Sequence, residues 1–109
     1  MESIPIESSQ DWWWYKAKSN VLRYLVLSTC KSRPMEILEI GPGKGNNLET
    51  LAKFGKVDIL ETDLSFIQHI KESSSESLRN TYTEFSKIIT KYDLIISLDV
   101  IISFELSCG

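Results

Sequence analysis

Hydrophobic positions along this chain switch between a helical and an extended period. From Asp11 to about Thr29, Trp14, Ala17, Val21, Leu25 and Ser28 recur at spacings of three or four, which predicts a helix. Pro34 closes it, because proline disfavours helical backbone at the residue before it. Met35 to Ile40 is a continuous apolar-rich run with no room for an exposed face, and reads as a first strand. Asn46, followed three residues later by Glu49, has capping-box spacing and opens a helix whose buried side is Leu48, Leu51 and Ala52. Gly55 is a natural stop for that helix. A second strand follows at Val57 to Thr62. Ser65 with Gln68 opens a short helix whose inward residues are Phe66 or Ile67 and Ile70. The Ser73-Ser74-Ser75 run reads as a loop or a frayed helix end. Asn80 to Phe85 carries the β propensity of a third strand, and Asp93 to Val100 is a stronger fourth.

Strands alternating with helices predict an α/β, Rossmann-like doubly wound parallel sheet of order 3-2-1-4, with an N-terminal helix. Ligands bind such sheets at the carboxyl ends of the strands. The first strand runs straight into Gly-Pro-Gly-Lys-Gly, with Glu39 ahead of Gly41, Gly43 and Gly45. Glycines at this spacing let a backbone approach a ligand where a Cβ would collide. Asp63 stands 18 residues after Gly45, at the end of the second apolar run. A carboxylate there can accept two hydrogen bonds from the vicinal hydroxyls of a ribose. Glu61 ends the same run two residues earlier, and side chains two apart on a strand share a face, so periodicity does not separate the two.

Composition narrows the class. The chain has 109 residues, 42% hydrophobic and 25% charged, as expected of one globular domain. Its formal net charge of −3 offers no electrostatic footprint for DNA or RNA. No basic region with an apolar core opens it, and the apolar stretch Leu94 to Phe104 is broken by Asp99 and too short for a bilayer. A cytoplasmic protein is expected, without membrane or nucleic-acid partners. Cys30 and Cys108 lack metal-ligand spacing and read as free thiols. His69 reads as a solvated helix residue, so no metal site is expected.

A dinucleotide fingerprint would place its last glycine at position 46, which holds Asn46. That disfavours a nicotinamide- or flavin-dependent oxidoreductase. The Glu-x-Gly-x-Gly-x-Gly spacing instead resembles the first motif of the class I S-adenosylmethionine-dependent methyltransferases. Leu60-Glu61-Thr62-Asp63-Leu64-Ser65 is similar to their second motif, and Tyr92 to Val100 to the run that begins their fourth strand. Trp12-Trp13-Trp14-Tyr15-Lys16-Ala17-Lys18 resembles the aromatic-basic opening helix of small-molecule members. The resemblance implies S-adenosyl-L-methionine as cofactor and a small-molecule methyl acceptor. It implies that Glu39 orients the loop and helps hold the cofactor's ammonium group, that Gly41, Gly43 and Gly45 form the loop, and that Leu64 adjoins the site. The match to Asp-Leu-Ser decides for Asp63 over Glu61 as the ribose ligand. Glu84, at the end of the third strand, is placed to accept from the adenine amino group, with a surface glutamate as the alternative. One or two of the Trp12–Tyr15 aromatics are expected on the sheet, and the rest beside the cofactor's positive charge. No catalytic residue is identified.

The family fold has seven strands and this sequence supplies four. After Val100 it leaves the family pattern: Ile102 and Ser103 occupy the place of an acidic residue and a histidine. The expected organisation is therefore a flexible arm over residues 1–10, then the cofactor-binding half of a methyltransferase domain over 11–109. An apolar fourth strand left at the sheet edge is expected to self-associate or to recruit a complementing chain. A non-catalytic interaction module with the same fold is the alternative to an enzyme.

Overall fold

A computed structural model describes residues 33–97 and 100–105, together with Asn20 and Arg23. The expected arm, the aromatic cluster, Cys30, Cys108, Leu98, Asp99 and most of the expected first helix lie outside the described residues. Asn20 and Arg23 are helical and exposed. In chain order the remaining elements are β1 (Met35–Ile40), α1 (Leu48–Ala52), β2 (Gly55–Leu60), α2 (Leu64–Ser73), β3 (Asn80–Tyr82), β4 (Leu94–Ser97) and β5 (Val100–Phe104). One-turn 3-10 segments at Ser75–Ser77 and Phe85–Lys87 flank β3.

The strands form one sheet of order β3-β2-β1-β4-β5. The first four are mutually parallel in the expected order, with Ile37 opposite Val57 on one side and Leu94 on the other. Alternate residues of the central strands, Met35, Ile37, Val57, Ile59, Leu94 and Ile96, all point to one face and are at most 1% exposed. Leu48 and Leu51 of α1 and Ile70 of α2 complete this cluster. Each such side chain contributes about 1.5–3 kcal/mol when fully buried.

Strand four differs from the expectation. It ends at Ser97 rather than Val100, and the chain returns as β5, antiparallel to β4, with Leu94 opposite Phe104 and Ser97 opposite Val100. The edge of β4 that was expected to be free is therefore paired. The register slips between Ile95 and Ile96, leaving Ile102 as an extra, 62% exposed residue on β5. A β-bulge of this kind twists an edge strand away from regular pairing.

Gly55 also has a different role. It does not end α1 but begins β2, directly opposite Met35, where a Cβ would lie 2.0 Å from the Met35 carbonyl oxygen. The two backbones can meet only because no side chain stands between them. Starting β2 at Gly55 ends it at Leu60, two residues before the expected end.

Polar ties fasten the amino ends of the strands. On the face opposite the cluster, Asp58 is fully buried, yet its carboxylate accepts from Arg79 Nε and Nη2 (both 2.9 Å), the Asn80 N–H (3.0 Å) and the Tyr92 hydroxyl (2.7 Å). Arg79 also reaches Glu36 at 2.8 Å. Burial pushes the Asp58 carboxyl up, but the hydrogen bonds from Arg79, Tyr92 and Asn80 and the Arg79 charge outweigh it, so the group sits below the ordinary carboxylate range. Burial and the bond to Asp58 push the Tyr92 phenol up, keeping it a donor. Asp93 forms a second tie. It accepts two bonds from the Arg33 guanidinium (2.7 and 2.9 Å) and one from the Glu36 N–H (2.7 Å), while its carbonyl accepts from the Glu105 N–H (2.7 Å). The Arg33 bonds hold its carboxyl low against the opposing effect of burial.

Two outcomes are expected. Gly55→Ala forces β1 and β2 apart at their first pair and should cost about 3 kcal/mol or more in denaturant unfolding. The lowered carboxyls of Asp58 and Asp93 stabilise the fold fully above about pH 4, and that stabilisation is lost as pH falls through their folded values. Asp58→Asn should therefore cost about 3 kcal/mol near neutrality and flatten the loss of stability below pH 4, measured by urea midpoints across pH.

Candidate cofactor site

The site is assembled where β1 and β2 end together. Ile40 pairs with Leu60, and the Gly41 N–H donates to the Leu60 carbonyl at 2.9 Å, so both chains leave the sheet at the same level. The loop then turns sharply, with φ of +65° at Gly41, +59° at Gly43 and +82° at Gly45. Side chains other than glycine pay for that backbone region. The three positions differ in their surroundings. A Cβ at Gly45 would meet Ile70 Cγ1 at 3.0 Å and Leu48 Cδ1 at 3.1 Å, so this glycine lets the loop sit on α2 and the core. A Cβ at Gly41 or Gly43 would have nothing within 4 Å, leaving open space beside the half-buried backbone.

Glu39 continues the inward row of Met35 and Ile37 and is 3% exposed at the base of the loop. Glu61 continues the row of Val57 and Ile59 just past the end of β2 and is 9% exposed. Two carboxylates thus flank the same turn from adjacent strands. Glu61 Oε1 accepts from the Gly43 N–H at 3.3 Å, and Oε2 accepts from the Asp63 N–H at 3.0 Å. Each oxygen retains capacity to accept from a second donor.

Asp63 is placed otherwise. It is exposed and serves as the N-cap of α2, its carboxylate accepting from the Ser65 N–H (2.9 Å) and hydroxyl (2.6 Å). Those bonds hold its carboxyl below the ordinary range. The sequence motif points to Asp63 rather than Glu61 as the ribose ligand; the structure brings Glu61, not Asp63, against the loop. Because β2 begins at Gly55 and stops at Leu60, Glu61 takes the strand-end position and Asp63 moves into the helix cap. The expected capping box at Ser65 is replaced by this cap, and Ile67 and Ile70 are the buried residues of α2.

The outer positions lie along the same carboxyl ends. Leu64, the first residue of α2, is 73% exposed. Glu84 is exposed beyond β3, which ends at Tyr82 rather than Phe85, and Phe85 is 70% exposed in the following turn. Helix α1 begins at Leu48, not after Asn46, and Asn47 occupies its N-cap position. The Asn47 side chain reaches back to Glu39 Oε2 at 3.3 Å, a contact that sequence spacing did not reveal. His69 is exposed. Among the described residues, no three His, Cys, Asp or Glu side chains gather as a metal-holding group, and no helix is long and apolar enough to cross a membrane.

This arrangement of loop and strands has counterparts of known structure. The SAM-bound amino pentose methyltransferase CalS10 of Micromonospora echinaspora, involved in calicheamicin biosynthesis, superposes with a TM-score of 0.58 at 15% identity. The match covers 89% of this chain and 44% of that one, so the chain spans less than half the length of this structural relative. At that identity the likeness concerns the fold. No curated protein matches the chain significantly in sequence. A model of the methyltransferase domain, however, matches residues 10–107, almost the whole of the sequence, and the chain belongs to that family.

Proposed function

We propose that this chain binds S-adenosyl-L-methionine over its glycine loop and serves methyl transfer to a small-molecule acceptor. The observation that carries the reading is the Glu61 carboxylate held against the loop by the Gly43 and Asp63 N–H groups, beside the open space at Gly41 and Gly43. These residues fit the cofactor. A ribose diol can donate to the two Glu61 oxygens, the bare loop backbone admits the nucleoside, and Glu39 offers a buried negative charge to the ammonium of the amino-acid arm. Leu64 supplies an apolar surface for the adenine, and Glu84 an acceptor for its amino group. Bound S-adenosylmethionine supplies a methyl group activated on a sulfonium for in-line transfer. The work left to the protein is to hold donor and acceptor in contact and aligned. A small-molecule acceptor is supported by the acidic net charge, which gives no hold on nucleic acid. The amino pentose acted on by the structural relative is of the same class. A cytoplasmic setting belongs to the same reading.

A second reading, a non-catalytic module that keeps the cofactor fold, is favoured by one observation. The chain turns back after Ser97 and lays β5 antiparallel along β4, where this parallel fold would continue through a helix. Transfer of label from methyl-labelled S-adenosylmethionine into a small-molecule extract decides for the enzyme; retained binding without transfer decides for the module.

Isothermal titration should give tighter binding of S-adenosylhomocysteine than of NAD, and the reverse order would overturn the cofactor reading. Glu61→Ala should weaken S-adenosylhomocysteine by more than about tenfold, since each hydrogen bond to a charged group contributes about 1.5–3 kcal/mol. Asp63→Ala should lower the melting temperature through loss of the helix cap and change the affinity by less than about twofold. A larger binding loss in Asp63→Ala than in Glu61→Ala would return the ribose to Asp63.

A further inference from the structure

Asn47 stands at the N-cap of α1, a position where asparagine is favoured because its side-chain oxygen accepts from the first N–H groups of the helix. Here the side chain makes no such bond. Its carboxamide is turned toward Glu39, and the Asn47 Nδ2 group donates to Glu39 Oε2 at 3.3 Å. A helix of five residues has few hydrogen bonds of its own, so a cap residue that leaves its helix uncapped to reach a buried carboxylate points to a role at that carboxylate. The path is set by the loop. Gly45, packed toward Ile70 and Leu48, places Asn47 two residues later, and the Asn47 carbonyl still starts α1 by accepting from the Leu51 N–H at 2.9 Å.

We propose that Asn47 is a positioning residue: by donating to Oε2 it fixes the orientation in which Glu39 meets the cationic amino-acid arm of the cofactor. The inference rests on the cofactor reading above and adds the device that sets the geometry of the arm rather than of the nucleoside. Such support matters because a carboxylate on a flexible side chain recognises an ammonium well only when its rotamer is held.

The test compares two ligands on the intact chain. S-adenosylhomocysteine carries the amino-acid arm, and 5′-methylthioadenosine has the same nucleoside and a thioether but no arm. Asn47→Asp is the informative variant, because aspartate caps a helix as well as asparagine does yet replaces the donor by a second negative charge beside Glu39. Asn47→Asp should weaken S-adenosylhomocysteine by about tenfold or more, Asn47→Ala by less, and both should leave 5′-methylthioadenosine within about twofold. Unchanged S-adenosylhomocysteine affinity in Asn47→Asp, or equal weakening of both ligands, overturns the proposal while leaving the cofactor reading intact. A wild-type chain that binds neither ligand overturns the cofactor reading and this inference with it.

Discussion

The register of β1 against β2 is the constraint on which the rest depends. Met35 faces Gly55 at one end and Ile40 faces Leu60 at the other. The first pair is possible because Gly55 has no side chain to push the backbones apart. The last pair brings the glycine loop and Glu61 to the same level, where the Gly41 and Gly43 N–H groups meet the end of β2. A slip of one residue would turn every side chain of β2 to the other face. Val57 and Ile59 would leave the core and Glu61 would leave the loop.

Charge is distributed unevenly between the two ends of the sheet. At the amino ends, buried Asp58 and Asp93 are surrounded by donors from Arg79, Tyr92, Asn80, Arg33 and Glu36, and their negative charge is fully answered within the fold. Such clusters are costly to break because the remaining partners are left desolvated. At the carboxyl ends, Glu39 and Glu61 lie beside a loop that offers mainly backbone N–H groups. The amino end is suited to holding the strands together.

The hairpin of β4 and β5 alters the far side of the sheet. In a parallel α/β sheet each strand returns through a helix, so all strands deliver loops to the same rim. Here β5 runs back from that rim, and its end is tied at the opposite one by the Glu105 N–H on the Asp93 carbonyl. The bulge at Ile102 spoils the regularity of the outer edge, which limits its use as a template for another strand.

Much of this was legible in the sequence, and the boundary of legibility has a physical cause. The apolar run Met35–Ile40 coincides with β1, the strand order of the first four strands follows from alternation of strands and helices, and Gly41, Gly43 and Gly45 all take the positive φ that their spacing implied. These features are local: burial on both faces, and backbone freedom that only glycine has. What the tertiary structure decided is where elements stop and which of two equivalent side chains meets the loop. Glu61 and Asp63 have the same parity along the chain, and only the close contact of Gly55 with Met35, 20 residues apart in sequence, shifts β2 so that Glu61 meets the loop and Asp63 caps α2. Likewise the stretch Leu94 to Phe104, with Asp99 its only charge, reads in sequence as carrying a single strand that ends at Val100. Pairing across the sheet made it two, because the edge of β4 gains backbone hydrogen bonds when the chain folds back on it.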